Sequence, residues 1–356
     1  MAGKAARDAF LDTRVSLLAQ QLLRRPEREA LLGASEEEMR PLLQKAGLHQ
    51  LVAEPPRNAR TLEQQLATVL VEESLLLMHG MNSDQSRFIR YWLRRLELIN
   101  LKIILRSKLS GLSAAQTLEN LLDLGPLTTL PIDALVGTES AEELLRRLES
   151  SPYAAMARQA RKIYEEQLDL FNAEATLDTH YYHQLVQQAR ALKDGSGEPV
   201  RALLGTWLDQ INLVSLLRFR LNYRLEAPHA YFLLAPGGHH LPLPLLQQLA
   251  QYDSLEQMLA LLPPALQQRL ADAADIENVE YRMVAMVRTH ARRLLRKRSH
   301  PMARSFAYLY LREQQIQLIH TVLKGHLLGL EQGLIRFCAD PLVDAGHHHH
   351  TGAAAS

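Results

Sequence analysis

Residues 92–106 read WLRRLELINLKIILR, and residues 207–218 read WLDQINLVSLLR. Both stretches contain an acidic residue, then Ile-Asn-Leu, then an arginine at the same distance after the asparagine. Both are apolar runs free of glycine and proline, which predicts one long helix in each place. The motif residues are Glu97, Asn100 and Arg106 in the first stretch and Asp209, Asn212 and Arg218 in the second.

A third stretch has the same character in a shifted register. Residues 310–324 read YLREQQIQLIHTVLK, and they contain no asparagine at the expected position. We align this stretch loosely, with Glu313 as its acidic residue and Lys324 as its cation. The sequence therefore predicts three related long helices, of which the third has diverged.

Two other features precede each long helix in the same order. One is a short helix opened by a serine with an acidic residue close behind, at Ser35, Ser140 and Ser254; a serine N-cap followed by acids satisfies free backbone N–H groups and suits the helix dipole. The other is an amphipathic helix with an acid in its opening. These openings are Thr61-Leu62-Glu63, Thr176-Leu177-Asp178 and Asn278-Val279-Glu280.

All three features recur at a spacing of roughly 100–115 residues, which indicates triplication of one helical module. The chain is rich in Leu, Ala, Gln, Arg and Glu and only 6% aromatic, which favours an all-α fold. Each copy should pack as a small bundle. We expect three pseudo-threefold-related bundles around a central cavity. Their predicted boundaries are residues 1–125, 126–236 and 237–338, followed by a disordered, histidine-containing tail at 339–356.

The acid and the asparagine of the motif lie on one helix face, because they are three positions apart. Our interpretation for Glu97 with Asn100, and for Asp209 with Asn212, is a buried hydrogen-bonded cluster that holds the helix in register. The alternative is that they line a shared socket or contact a partner. A catalytic carboxylate pair is less favoured, since no nucleophile or metal ligand accompanies it.

One dense basic run contains Arg292, Arg293, Arg296, Lys297 and Arg298. It is either a solvated helix end whose cations suit the helix dipole, or a contact with an acidic subunit or with lipid headgroups. The chain as a whole has 40 basic and 39 acidic residues, so a nucleic-acid partner is not favoured.

The common catalytic signatures are missing from the sequence. It contains no phosphate-binding glycine-rich loop, no Gly-x-Ser-x-Gly elbow and no His-Glu-x-x-His motif. A single cysteine, Cys338, excludes an internal disulfide. The histidines at 347–350 are expected to bind metal only incidentally, and we predict no cofactor. The stretch 227–252 lacks charged residues, but its prolines and glycines argue against a membrane-spanning helix.

Residues 88–106 resemble the first repeat of a known family, the C subunits of V-type and archaeal-type ATPases. The eukaryotic members of that family are called d subunits. The opening AFLDTRV at 9–15 and AYLYLRE at 307–313 are similar to the first helix and the last repeat of that family. The resemblance extends over roughly residues 9–337 and depends on the order of short motifs. The third repeat departs from the family pattern at Gln317 and Leu318.

The resemblance implies a funnel of three helical domains on the cytoplasmic face of a membrane. Such a protein seats the rotor shaft subunits on the proteolipid ring and passes torque between ATP hydrolysis or synthesis and transport of protons or sodium ions. It has no catalytic residues of its own. The alternative functions are a free-standing helical adaptor that binds another helical protein, and an enzyme with an unrecognised site.

Overall fold

The computed structural model describes residues 2–167, 169–193, 195–297 and 300–339. Every regular element in these ranges is helical, which confirms the predicted all-α class. Among these residues, none of the helices combines the length and the apolar character needed to cross a lipid bilayer.

The first third of the chain forms six α-helices, of which the last two are long. A short 3₁₀ turn at Ala19–Gln21 follows the first of them. The helices are α1 (Ala2–Leu18), α2 (Arg25–Gly33), α3 (Glu36–Lys45), α4 (His49–Ala53), α5 (Ala59–Met78) and α6 (Ser83–Ser110).

The middle third repeats this order of short helices followed by two long ones. Helix α12 continues into a π-helical turn at Arg218–Asn222. The helices are α7 (Ala114–Glu119), α8 (Ile132–Val136), α9 (Ala141–Leu148), α10 (Ala154–Gln167), α11 (Leu170–Arg190) and α12 (Gly197–Leu217).

The last third has the same order again, and one more helix closes it. The helices are α13 (Ala227–Phe232), α14 (Leu243–Leu249), α15 (Leu255–Ala260), α16 (Pro264–Leu270), α17 (Ile276–Arg296), α18 (Pro301–Leu327) and α19 (Gln332–Ala339). The predicted tail from residue 340 onward lies outside the described residues.

The predicted helix starts are confirmed at the serines. Ser35 immediately precedes α3, and its amide and hydroxyl bond to Glu38 at 2.9 and 2.8 Å. Ser140 and Ser254 accept hydrogen bonds from the first turns of α9 and α15. The three short helices therefore begin in the same way.

The start predicted near Thr176 is wrong, because α11 begins at Leu170. Asp169 caps this earlier start, accepting a hydrogen bond from the Phe171 amide at 2.9 Å and from the Asn172 side chain at 2.8 Å. A capping aspartate satisfies orphan N–H groups as well as a serine or threonine does. The aspartate, and not the later threonine, therefore sets the boundary.

Six helices form the framework of the molecule. Each amphipathic helix packs against the long helix that follows it, as α5 with α6, α11 with α12, and α17 with α18. Each long helix also packs against the amphipathic helix of the next pair: α6 with α11, α12 with α17, and α18 with α5. These contacts return to the helix where they began, so the six helices form a closed circuit.

Much of the core is shared among the three thirds of the chain. One apolar cluster contains residues from Leu11 to Ile335 and includes members of each pair of long helices. Phe306 of α18 packs edge-on against Phe88 and Trp92 of α6, with ring centroids 5.0 and 5.7 Å apart. A second cluster joins the end of α12 to the short helices before α17. The predicted domain boundaries stay predictions.

Candidate functional site

The first contact between successive helix pairs joins α6 to α11. Arg106 forms a two-pronged ion pair with Glu174, with distances of 2.8 and 2.6 Å. One turn earlier, Lys102 contacts both carboxylate oxygens of Asp178 at 2.6 Å. Both cations lie on the long helix and both acids on the amphipathic helix of the following pair. Arg106 is the arginine of the sequence motif.

The second contact repeats this arrangement between α12 and α17. Arg218, the motif arginine of the second copy, bonds to Glu280 at 2.6 Å. Glu280 is the acid that the sequence places in the opening of the third amphipathic helix. The side chains of Arg218 and Glu280 are 44% and 37% exposed. The ion pair therefore contributes less to stability than its short N–O distance suggests.

The third contact closes the circuit from α18 back to α5. Lys324 and His320 both approach Glu63, each at 3.4 Å. Deeper in the same contact, Arg312 has no exposed side-chain surface and binds both carboxylate oxygens of Glu73 at 2.8 to 3.1 Å. Arg312 also donates to the Ala46 carbonyl at 2.8 Å. The third contact is therefore the most buried of the three.

The motif acid and asparagine of the first copy bind the loop that follows their own helix. Buried Glu97 accepts hydrogen bonds from the amide and hydroxyl of Thr129, from the Leu130 amide at 2.9 Å and from the Tyr153 hydroxyl. Asn100 pairs with the backbone of Leu122, accepting from its N–H at 2.8 Å and donating to its carbonyl at 2.7 Å. The loop before α8 is thereby fastened to α6.

The second copy uses the same geometry. Asp209 accepts from the amides of His240 and Leu241 at 2.8 and 2.9 Å. Asn212 pairs with the backbone of Ala235, with both bonds at 2.8 Å. Burial raises the pKa of Asp209, and the two backbone N–H groups oppose that shift.

Gly238 is required by this close approach of the loop to the helix. A Cβ atom there would lie 2.5 Å from the Asp209 carboxylate and 2.6 Å from the Leu241 carbonyl. Any side chain would therefore displace either the carboxylate or the loop. The two glycines at 237–238 are explained by packing and need no ligand.

In the third copy, the residue that binds backbone in this way is Gln315, which was not predicted from the sequence. Its side chain accepts from the Leu23 amide at 2.6 Å and donates to the Gln21 carbonyl at 3.0 Å. In this copy the backbone partners come from the N-terminal segment and not from the loop that follows the long helix. Arg312 and Gln315 have the same three-residue spacing as Glu97 and Asn100, and that spacing is the signal that could have revealed the residue.

Gln315→Ala is expected to destabilise the chain by about 1–3 kcal/mol, because a buried backbone N–H loses its acceptor. Gln314→Ala serves as the matched control, since Gln314 bonds only to the exposed side chain of Gln317. Urea unfolding of the full chain measures both. Equal, small effects at the two positions would contradict the role assigned to Gln315.

Glu313, which the loose alignment assigns as the acidic residue of the third copy, has a different environment from Glu97 and Asp209. It forms an ion pair with Arg95 of α6, at 2.7 Å and with both side chains mostly buried. Arg95 also lies over the Trp92 ring, 3.5 Å from its centroid. Glu313 therefore links the first and third long helices, and the structure does not place it in an acid–amide pair.

The basic run divides between two environments. Arg292 and Arg296 line a cavity of about 1320 Å³ between α2, α17, α18 and α19. Arg293 and Lys297 are exposed and do not line it. Arg298 lies outside the described residues. Within the described part of the chain, no cluster of three His, Cys, Asp or Glu side chains could hold a metal ion.

These features define an all-helical protein whose repeated helix pairs are joined to one another through ion pairs and fastened loops. The chain belongs to the ATP synthase (C/AC39) subunit family, whose model matches residues 11–337. The family resemblance expected from the motifs is thus confirmed, as is the prediction of an accessory, non-catalytic subunit of a rotary ATPase.

Several archaeal proteins named as the C subunit of an A-type ATP synthase are similar to this chain. The one from Thermococcus kodakarensis is 26% identical over 269 residues, which cover 73% of this chain and 70% of the relative. The one from Methanosphaera stadtmanae is 28% identical over 157 residues, covering 44% and 40%. The one from Methanothermobacter thermautotrophicus is 28% identical over 152 residues, covering 42% and 38%. The chain thus matches less than half the length of the last two.

Proposed function

We propose that this chain is the central-stalk subunit that seats the rotor shaft on the membrane proteolipid ring and passes torque between them. The observation that carries the proposal is the closed circuit of three ion-paired contacts, α6 to α11, α12 to α17 and α18 to α5. Each contact has its cation on a long helix and its acid on the next amphipathic helix. A subunit that transmits rotation has to resist relative movement of its parts, and a closed circuit does so better than an open row.

The same circuit supports a pseudo-threefold arrangement of the three modules, which is part of the proposal. Equivalent helices meet through equivalent contacts three times, and the third contact returns to the first module. Three long helices related in this way run in the same direction around a common axis. A socket for a shaft would then lie on that axis, and the shaft subunits are its proposed occupants.

Resistance to twisting has an energetic basis in the buried groups. Turning one module against the next would separate Arg312 from Glu73, and removing one partner of a buried pair costs about 3–5 kcal/mol. The loops fastened by Glu97 and Asp209 connect successive modules, so they limit the same movement. The exposed pair of Arg218 with Glu280 adds only about 0–1 kcal/mol.

An exposed apolar surface supports the proposed seat on the ring. Large apolar side chains are exposed at or just beyond the C-terminal end of each long helix: Leu109 and Leu112 at the end of α6, Tyr223 after the π-helical turn that follows α12, and Leu328 and Leu330 after α18. We name these five residues the apolar rim. In the proposed arrangement they share one end of the molecule, where they would face the ring on the cytoplasmic side of the membrane. Apolar patches of this kind mark interaction surfaces.

Replacing Leu109, Tyr223 and Leu328 together by aspartate tests the seat. In the complete ATPase reconstituted into vesicles, we expect ATP-driven ion pumping to fall at least about tenfold, because three buried carboxylates oppose docking. ATP hydrolysis by the head should persist, since this chain carries no catalytic group. Pumping is followed with a pH- or sodium-sensitive dye, and hydrolysis by phosphate release.

The matched control keeps all three positions apolar, as Leu109→Met, Tyr223→Phe and Leu328→Met. This variant should pump at the rate of the unmodified complex. Normal pumping by the aspartate variant would contradict the seat at the apolar rim. Failure of the unmodified chain to co-purify with any rotary ATPase subunit would contradict the proposed function itself and favour a free-standing adaptor.

A further inference from the structure

A large cavity lies between α2, α17, α18 and α19. Its volume is about 1320 Å³, and its lining includes residues from each of these four helices. Neither α6 nor α12 contributes to the lining. Glu280 of the second ion-paired contact lies in the lining, but none of the cations of the three contacts does, so the binding proposed for this cavity does not require the proposed function.

Three arginines of α17 face this cavity. Arg288, Arg292 and Arg296 are spaced four residues apart, which places them on one face of the helix. In the part of the chain that the structure describes, none of the three forms an ion pair with an acidic side chain. Arg28 of α2 also lines the cavity and acts electrostatically on Arg292. One end of the cavity is thus strongly positive.

The acidic side chains of the lining do not neutralise this end. Glu29 already faces Arg25 at 3.4 Å and Arg336 at 3.8 Å. Glu280 is bound to Arg218 at 2.6 Å. Glu277 lies eleven residues before Arg288 on α17, which is a distance of roughly 16 Å along the helix axis. These acidic side chains therefore leave the positive charge of Arg288, Arg292 and Arg296 uncompensated.

Burial makes this arrangement costly for the protein alone. The pKa of Arg292 is lowered to about 10, chiefly by burial and further by Arg28, Arg288 and Arg296. The guanidinium still carries its charge at neutral pH. Apolar side chains, among them Leu32, Leu295 and Leu318, form much of the wall and reduce screening by water. An anion placed among these arginines would be bound more strongly than at an open surface.

We propose that the arginine end of this cavity binds a small soluble anion that carries at least two adjacent phosphate groups. Arg288 and Arg296 are eight residues apart, which spans roughly 12 Å along the helix. Three guanidinium groups along one helix face offer more N–H donors than one small monovalent anion can use, whereas a chain of phosphates can engage them together. Each planar guanidinium group can bind two phosphate oxygens at once. A phosphate ligand therefore explains why three arginines face one cavity better than a solvated helix end does.

Isothermal titration of the full chain with inorganic pyrophosphate and tripolyphosphate tests the site. We expect saturable binding with one ligand per chain, tighter for tripolyphosphate. Arg292→Gln should weaken binding at least about tenfold, since a hydrogen-bonded ion contact is lost. The matched control is Arg293→Gln, one residue further along the same helix but exposed and outside the cavity. It should stay within about twofold of the unmodified chain, since an exposed charge interacts weakly.

A melting experiment shows whether the variant is folded. Without ligand, Arg292→Gln should melt no lower than the unmodified chain, because it removes repulsion among like charges. Pyrophosphate should raise the melting temperature of the unmodified chain and raise that of the variant much less at the same concentration.

Three results would overturn the proposal. The first is equal binding of pyrophosphate by the unmodified chain and by Arg292→Gln. The second is an equal loss at Arg292 and Arg293, which would reflect general surface charge only. The third is binding to vesicles that contain phosphorylated inositol lipid, or to a synthetic polyglutamate peptide, with none to the free phosphates. That result would identify a membrane or an acidic protein segment as the ligand.

Discussion

Arg312→Ala is expected to lower the free energy of unfolding by about 3–5 kcal/mol, the largest effect of any single substitution considered for this chain. Arg312 has no exposed surface, and it holds Glu73, whose side chain is 11% exposed. Tyr308 also donates its hydroxyl to Glu73 at 2.6 Å. Removing the guanidinium leaves a nearly buried carboxylate with a single neutral donor and leaves the Ala46 carbonyl without its partner. Urea unfolding followed by circular dichroism measures the change.

Two controls separate the buried charge from general loss of packing. The double variant Arg312→Met with Glu73→Leu should recover part of the stability, because it removes the uncompensated buried charge, while the Tyr308 hydroxyl and the Ala46 carbonyl still lose their partners. Arg146→Ala removes an arginine from an exposed ion pair with Glu142 and should change stability by less than about 1 kcal/mol. A double variant as unstable as Arg312→Ala would show that shape, and not charge, dominates.

Glu97→Ala is the second large effect, expected at about 2–4 kcal/mol because four donors lose their acceptor at once, of which those of Leu130 and Tyr153 are on buried residues. These donors are the amides of Thr129 and Leu130 and the hydroxyls of Thr129 and Tyr153. Besides the loss of stability, the loop before α8 should lose its attachment to α6. Hydrogen exchange at the Thr129 and Leu130 amides should accelerate more than exchange elsewhere in the chain.

The equivalent change in the second copy is Asp209→Ala, which should free the amides of His240 and Leu241 in the same way. The destabilisation is expected to be smaller than for Glu97→Ala, because Asp209 accepts from two amides and Glu97 from two amides and two hydroxyls. Glu119→Ala, at an exposed position of α7, is the control for loss of an acidic side chain and should have little effect. If Glu97→Ala left the exchange of Thr129 unchanged, the loop would be held by something other than this carboxylate.

The all-α class and the order of the helices could be predicted because they depend on local signals. Ser35, Ser140 and Ser254 each satisfy N–H groups a few residues away, and the long apolar runs specify helices wherever they pack. The start of α11 was misjudged because several nearby polar residues can cap a helix equally well. Local sequence does not decide between Asp169 and Thr176.

The motif acids and asparagines could be recognised from the sequence, but their hydrogen-bond partners could not be predicted from it. Glu97 and Asn100 stand out as polar residues in an apolar run, which indicates burial and satisfied hydrogen bonds. Their partners, Thr129, Leu130 and Leu122, are backbone and hydroxyl groups, which are present everywhere in a sequence. Gln315 was missed although the spacing is kept, because in the third copy Arg312 and Gln315 replace the acid and the asparagine of the motif.

By itself, the sequence determined the all-α class and predicted three related long helices with recurring residues, because repetition along the chain is directly visible in the letters. Only the tertiary structure decided that these residues join one module to the next and that the third contact returns to the first. It also decided that Arg292 faces a cavity while Arg293 faces solvent. Such contacts join side chains that are far apart in the sequence. Their orientations and the distances between them are set only when the whole molecule packs.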